Sequence, residues 1–279
     1  MNGNYSKIQK EEKQYGENTN LNQCMKIFFW LKQHILLIGL IAFFIFLFFY
    51  HIDYSTLSSW DEGWYASIAR DIIRSGSFLQ MTWNGQPYYD HPPMGFWLMA
   101  ISFKLLGVNE FSARIPSAIL GLFTIILIYK TAVELFGKKI IGFVAGIILG
   151  TSVWYLIRVR SGNLESVFSF FYILTIFTSL KSSKRFRWFP LVMISFAGLM
   201  LSKTIVGFSA IIPIFFINLK QLLNRKNWNL VLKGTGLFLI IVLPWYLVQF
   251  FSYGDFYQHH FFNVGMRNKT FVSYSPLVS

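Results

Sequence analysis

Two adjacent carboxylates, Asp61 and Glu62, sit among aromatic residues in WDEGWYASIARDIIRSG, residues 60–76, just after the first long apolar run. A carboxylate held at a membrane edge can act as general base toward an incoming hydroxyl. It can equally be the acidic first turn of a helix, complementing the helix dipole with no further role. Spacing alone explains Glu62 as a cap and leaves Asp61 open. Other residues able to do chemistry are scattered along the chain: Asp90-His91 before Pro92-Pro93, Arg158 and Arg160 ahead of Glu165, Lys203 in LSKTIVGF, and His259-His260 near Asp255. The paired histidines read as loop residues rather than a metal pair, because adjacent side chains point apart and no HExxH-like spacing accompanies them. A divalent metal at Asp61 and Glu165 has no support from spacing, and no cofactor is required by any motif. Lys203 alone reads equally well as a snorkelling helix-end lysine, and the two arginines as anchors to lipid headgroups.

The elements that must position these groups follow from composition. The chain of 279 residues is 54% hydrophobic and 19% aromatic but only 13% charged, with a mean hydropathy of +0.47. Soluble domains carry about a quarter charged residues, so this is an integral membrane protein. The net charge of +13 does not indicate nucleic acid, since the basic residues fall in short clusters between apolar runs. The single cysteine excludes an internal disulfide.

Expected spans are Gln33–Tyr50, Phe111–Tyr129, Ile140–Ile157, Ser166–Leu180, Trp188–Leu201, Thr204–Leu219 and Gly234–Tyr253. A further run, Met94–Leu106, is short, interrupted by Lys104 and bounded by Pro92-Pro93 and Gly107. If it lies in the interface, the clusters Lys130/Lys138/Lys139, Lys181/Lys184/Arg185/Arg187 and Lys220/Arg225/Lys226/Lys233 all face the cytoplasm with the N-terminal tail. If it crosses, all of them move outside. The positive-inside rule favours the first arrangement: about seven spans with the N-terminus cytoplasmic. Asp61, Glu62, Asp90, His91, Arg158, Arg160, Glu165 and Lys203 then share the outer face. The expected organisation is a disordered cytoplasmic tail over 1–32, a transmembrane module over 33–253 with its outer loop at 51–110, and a final outer segment, 254–279. Within the outer loop, Ser59 and Glu62 fit a capping box, followed by an amphipathic helix along the surface that ends at Ser75-Gly76. Trp83-Asn84-Gly85-Gln86-Pro87 reads as a turn leading to the second interfacial helix.

The ordered set DEGWYASIARDIIRSG, NGQPYYDHPPMGFWL, FSARIPSAILG, RSGNLESVFSFF, LSKTIVGF and PWYLVQF resembles the protein O-mannosyltransferase superfamily. That superfamily includes the bacterial aminoarabinose transferases that modify lipid A. The resemblance runs from about Tyr50 to Phe262. It implies an all-α polytopic GT-C fold with an outer-face active site beneath first-loop surface helices. By this resemblance Asp61 matches the catalytic base, and Glu165 matches a second acid that is usually aspartate. His91 stands where relatives commonly carry lysine near the donor phosphate, and Lys203 matches a lysine at an outer helix end. Arg158 and Arg160 join these as expected phosphate-binding residues; Glu62, Tyr65 and Asp90 are expected to contact substrate.

The implied donor is a sugar on a polyprenyl phosphate, undecaprenyl or dolichyl, and the acceptor a hydroxyl on a lipid, protein or glycan. The expectation is therefore an inverting glycosyltransferase of the plasma membrane, working among membrane lipids at the outer face. The alternatives are a lipid-linked sugar flippase or transporter, which would place charges within spans and show broken-helix repeats, and a truncated non-catalytic member. Relatives continue beyond the equivalent of Ser279 with further spans.

Overall fold

The structure, a computed structural model, describes residues 34–58 and 61–254. The tail over 1–32, the capping role of Ser59, the His259-His260 pair and all but the first residue of the segment 254–279 lie outside the described residues. Eleven helices follow in chain order among the described residues: α1 His34–Phe49, α2 Asp61–Ser75, α3 Met94–Leu106, α4 Glu110–Phe136, α5 Lys139–Thr151, α6 Val153–Val159, α7 Leu164–Lys184, α8 Phe189–Met200, α9 Thr204–Gly207, α10 Ile211–Leu222 and α11 Trp228–Ser252. Between α2 and α3 the chain forms a small antiparallel hairpin, β1 Met81–Trp83 with β2 Gln86–Tyr88. The sequence signalled its turn but not its strands. Asn84 and Gly85 both take positive φ, 50° and 74°, the backbone that a tight Asn-Gly hairpin turn needs.

Over the described residues the seven expected spans fall on helices, although Ile140–Ile157 and Thr204–Leu219 each combine more than one. Four helical segments, Glu110–Phe136, Leu164–Lys184, Thr204–Leu222 and Arg225–Ser252, are long and apolar enough to cross a bilayer. A fifth span results if α5 and α6 count as one, although they meet at a 72° bend. The expected first and fifth spans are shorter apolar helices, His34–Phe49 and Phe186–Met200. Length and composition thus support four or five of the seven. Met94–Leu106 is also a short helix, begun after Pro93 and ended at Gly107.

Two packing centres organise the bundle. In one, Leu40, Phe44 and Phe48 of α1 meet Ile125 and Tyr129 of α4 and Val159 of α6. The α5 face carrying Gly142, Gly146 and Gly150 makes this approach possible: a Cβ at Gly142 would lie 2.7 Å from the Tyr129 backbone oxygen, and one at Gly150 2.2 Å from the Phe44 ring. The other centre joins α2, the hairpin, α3, α8 and α11, with Ile68, Ile72, Met81, Phe96, Leu199 and Trp245 at its heart. This is why the surface helix α2 is fixed to the bundle: its Ile68, Ala69 and Ile72 recur at helical spacing and are all buried.

Helix α4 also sets the polarity of the molecule. Arg114, in its second turn, pairs with Glu62, while Glu134, in its last turns, pairs with Lys181 and Lys184 at the end of α7. Twenty residues of helix separate Arg114 from Glu134, about 30 Å, close to the hydrocarbon thickness of a bilayer. Glu165, at the start of α7, lies at the Arg114 end. Helices α4 and α7 therefore run parallel, with two layers of charge one membrane core apart.

Candidate active site

The site grows from the start of α2. Glu62 is buried, 3% exposed, and so is its partner Arg114 at 4%. Arg114 donates from Nε to Glu62 Oε1 at 2.7 Å and from Nη2 to Oε2 at 3.1 Å. Its remaining donors reach the carbonyl oxygens of Ile52, Ser55 and Thr56 at 2.8, 2.8 and 3.0 Å. All five guanidinium N–H groups are thereby used. Glu62 also accepts from the backbone N–H of Ser58 at 2.9 Å and of Gly162 at 2.8 Å. Burial alone pushes the Glu62 carboxyl upward, but Arg114 and the two backbone donors outweigh it and hold the group below its usual value of 4.5. One charge pair thus ties the loop before α2, the start of α2, helix α4 and the turn before α7 together.

Asp61, next in the chain, points to a different partner. Its Oδ2 lies 3.3 Å from Nη1 of Arg158, and the two side chains are 33% and 31% exposed. The same nitrogen reaches Asn163 Oδ1 at 3.3 Å, and the guanidinium stands 5.5 Å from the centre of the Trp154 ring. Across from this pair, Lys203 Nζ donates to Glu165 Oε1 at 3.1 Å, while Glu165 Oε2 is buried without a partner. Arg158 and Glu165 line a groove of about 270 Å³ that continues along Trp154, Tyr155, Ser166 and Ser169.

His91 and two phenols close the cluster. The His91 Nδ1 lies 3.1 Å from the carbonyl oxygen of Asp90. A carbonyl only accepts, so Nδ1 carries the hydrogen and the neutral ring turns a lone pair outward at Nε2. Burial, and then the positive charge of Lys203, lower the His91 pKa below 6.5 against the opposing pull of Asp90 and Glu165. Tyr65 is buried against Phe96, with ring centres 5.5 Å apart. Burial first, then the charges of Asp61, Glu165 and Asp90, keep its phenol protonated well above neutral pH, although Arg158 opposes them. Tyr88 is held protonated in the same way, by burial and then by Asp90, and its buried hydroxyl has no partner. Among the described residues no three His, Cys, Asp or Glu side chains are gathered as a metal ion would need. The cluster offers carboxylates that accept protons, cations that meet an anion, and phenols that donate hydrogen bonds.

The fold therefore brings Asp61, Tyr65, Asp90, His91, Arg158, Glu165 and Lys203 to one end of the bundle from four separate stretches of chain. Two expected members do not join. Arg160 donates to the carbonyl oxygens of Leu47 and Tyr50 at 2.5 and 2.8 Å, satisfying the C-terminal end of α1, so a phosphate-binding role gives way to helix capping. Glu62 has both oxygens enclosed by four donors, so a substrate contact gives way to positioning. Arg114, Asn163, Trp154 and Tyr88 were not singled out by sequence. For Arg114 a signal existed: an arginine inside an apolar run requires a buried partner.

A family model described as dolichyl-phosphate-mannose-protein mannosyltransferase matches residues 90–247. An uncharacterized protein of Aquifex aeolicus is 30% identical over 213 residues, covering 73% of this chain and 42% of the relative. The undecaprenyl phosphate-alpha-4-amino-4-deoxy-L-arabinose arabinosyl transferase of Shewanella sediminis is 29% identical over 229 residues, 79% of this chain and 41% of that protein. The chain thus spans less than half the length of either relative. The crystal structure of ArnT from Cupriavidus metallidurans in the apo state superimposes with a TM-score of 0.68 at 22% identity, covering 81% of this chain and 44% of that one. The same protein bound to undecaprenyl phosphate gives 0.69 at 20% identity, covering 84% and 44%. The fold is shared with these structures.

Proposed function

The chain belongs to the dolichyl-phosphate-mannose-protein mannosyltransferase family, and from that premise we propose that it is a glycosyltransferase moving a sugar from a polyprenyl phosphate to an acceptor hydroxyl. The reaction is a single displacement at the outer face of the plasma membrane. The acceptor oxygen attacks the anomeric carbon from the side opposite the phosphate, and its proton passes to Asp61. The bond from the anomeric carbon to the phosphate oxygen breaks, and the electron pair leaves with the polyprenyl phosphate, so the anomeric centre inverts. Arg158, Lys203 and, once protonated, His91 supply positive charge to the departing phosphate. Tyr65 and Tyr88 offer hydrogen bonds within reach of the same cluster. The groove beside Arg158 and Glu165 is a path for the donor between polar site and lipid.

The observation that carries this reading is the convergence of Asp61 with Arg158, Lys203, His91 and Glu165, all within the family that the sequence motifs and the family model both identify. The relatives named above for undecaprenyl phosphate sugars and the structure holding undecaprenyl phosphate support the donor class. A flippase would call for repeats of broken helices, whereas among the described residues one pair, α5 with α6, is broken. The test is mass spectrometry of lipids that co-purify with wild type and with Lys203→Ala. Wild type should retain a prenyl phosphate and the variant should lose most of it. Ordinary phospholipid alone in both samples would exclude the proposed donor.

A further inference from the structure

We infer that Asp61 and the donor phosphate compete for the Arg158 guanidinium, so that donor binding itself releases the base for the acceptor. The inference rests on the donor reading above and adds an order of events to it. In the resting site the Asp61 oxygen that faces the cluster is occupied by Arg158 Nη1. That bond is 3.3 Å long, about a third exposed and shared with Asn163, and such partly solvated pairs are weak. The neighbouring Glu62–Arg114 pair is the contrast: shorter, buried, and with every donor spent. An unexchangeable pair thus stands beside an exchangeable one.

Three features make Arg158 suited to exchange. Nη1 is its one bonded nitrogen among the described residues, which leaves Nε and Nη2 as a fork for the oxygens of a phosphate. The Trp154 face at 5.5 Å and the Asn163 carbonyl oxygen keep the guanidinium at the groove wall after Asp61 lets go. The residue also lies on α6, the seven-residue half of the bent pair, at the edge of the groove. A phosphate entering there adds a negative charge beside Asp61, and one cation then serves two anions. The phosphate takes the Nε–Nη2 fork with two of its oxygens; once the guanidinium charge is shared in this way, the single 3.3 Å bond from Nη1 is the weaker contact and the one given up, so that Oδ2 of Asp61 becomes available to the acceptor hydroxyl.

The experiment is binding of undecaprenyl phosphate to the purified full chain in nanodiscs. Asp61→Asn should bind it about two- to fivefold more tightly than wild type, since the competitor is gone. Arg158→Gln should bind more weakly, and adding Asp61→Asn to Arg158→Gln should bring a smaller gain than Asp61→Asn alone, because only the direct repulsion between Asp61 and the phosphate is then removed. Asp61→Ser provides the same charge removal should the asparagine variant be unstable. An Asp61→Asn affinity equal to or below wild type overturns the competition while the donor reading stands, as does a gain of the same size with and without Arg158. Wild type that fails to bind overturns both.

Discussion

Arg114 and Glu62 meet through two parallel bonds, 2.7 Å at Nε and 3.1 Å at Nη2, in the interior and one residue from Asp61. This pair, rather than the candidate base itself, decides where the start of α2 sits. Removing one partner leaves a buried charge without compensation, which costs about 3–5 kcal/mol. Arg114→Met should therefore lower the thermal midpoint far more than Arg158→Met does. Arg114→Lys should rescue little, because one ammonium does not replace five planar donors. Comparable melting curves for the two methionine variants would remove the structural role.

Glu62 gives this stability a pH dependence. Its folded carboxyl lies below the usual 4.5, so its contribution is complete above that value and is lost as pH falls through the folded pKa. Wild type should lose stability in that acid range, and Glu62→Gln, less stable at neutral pH, should show a flatter profile. Parallel acid profiles for the two proteins would contradict the assignment.

Asp61→Asn should reduce sugar transfer about a hundredfold or more, the size expected for loss of a general base. Prenyl-phosphate binding should not weaken. A turnover assay run with a binding measurement separates these quantities, and a transfer rate near wild type would return Asp61 to the helix-dipole role.

His91 should make donor binding pH-dependent. The free side chain has a pKa below 6.5 because it is buried and near Lys203, and a bound phosphate favours the protonated ring and raises it. Affinity should be greatest below the free value, fall as pH rises through it, and level off above the raised value of the complex. His91→Lys should flatten the curve between about pH 6 and 8, since lysine titrates near 10. Binding titrations across this range that match in both proteins would place His91 away from the phosphate.

Topology can be read by labelling. Single cysteines at Ser75 and Arg185, both exposed, in a Cys24→Ala background should react from opposite sides of an intact membrane. Labelling from one side would instead place Met94–Leu106 across the bilayer.

The solvent and the family of this protein were both legible in its amino-acid order. Apolar runs declare the bilayer because every buried backbone group there must be satisfied within a helix, and the ordered motifs from DEGWYASIARDIIRSG to PWYLVQF carry the family. Asp61 was legible as a candidate because its type and setting are local properties. Which carboxylate meets which cation was not local. Asp61 and Glu62 are adjacent, yet one faces Arg158 and the other Arg114, since successive residues of a helix point about 100° apart. Arg158 and Arg160 diverge for the same kind of reason: the last turn of α6 sends one into the groove and ends with the other at the C-terminus of α1. The break at Ser152, which the hydropathy of Ile140–Ile157 conceals, turns α6 by 72° and so brings Arg158 to the groove wall. Hydropathy sums over a window, whereas ion pairing depends on helix rotation and bend, and these were decided only when α1, α4, α5 and α7 packed together.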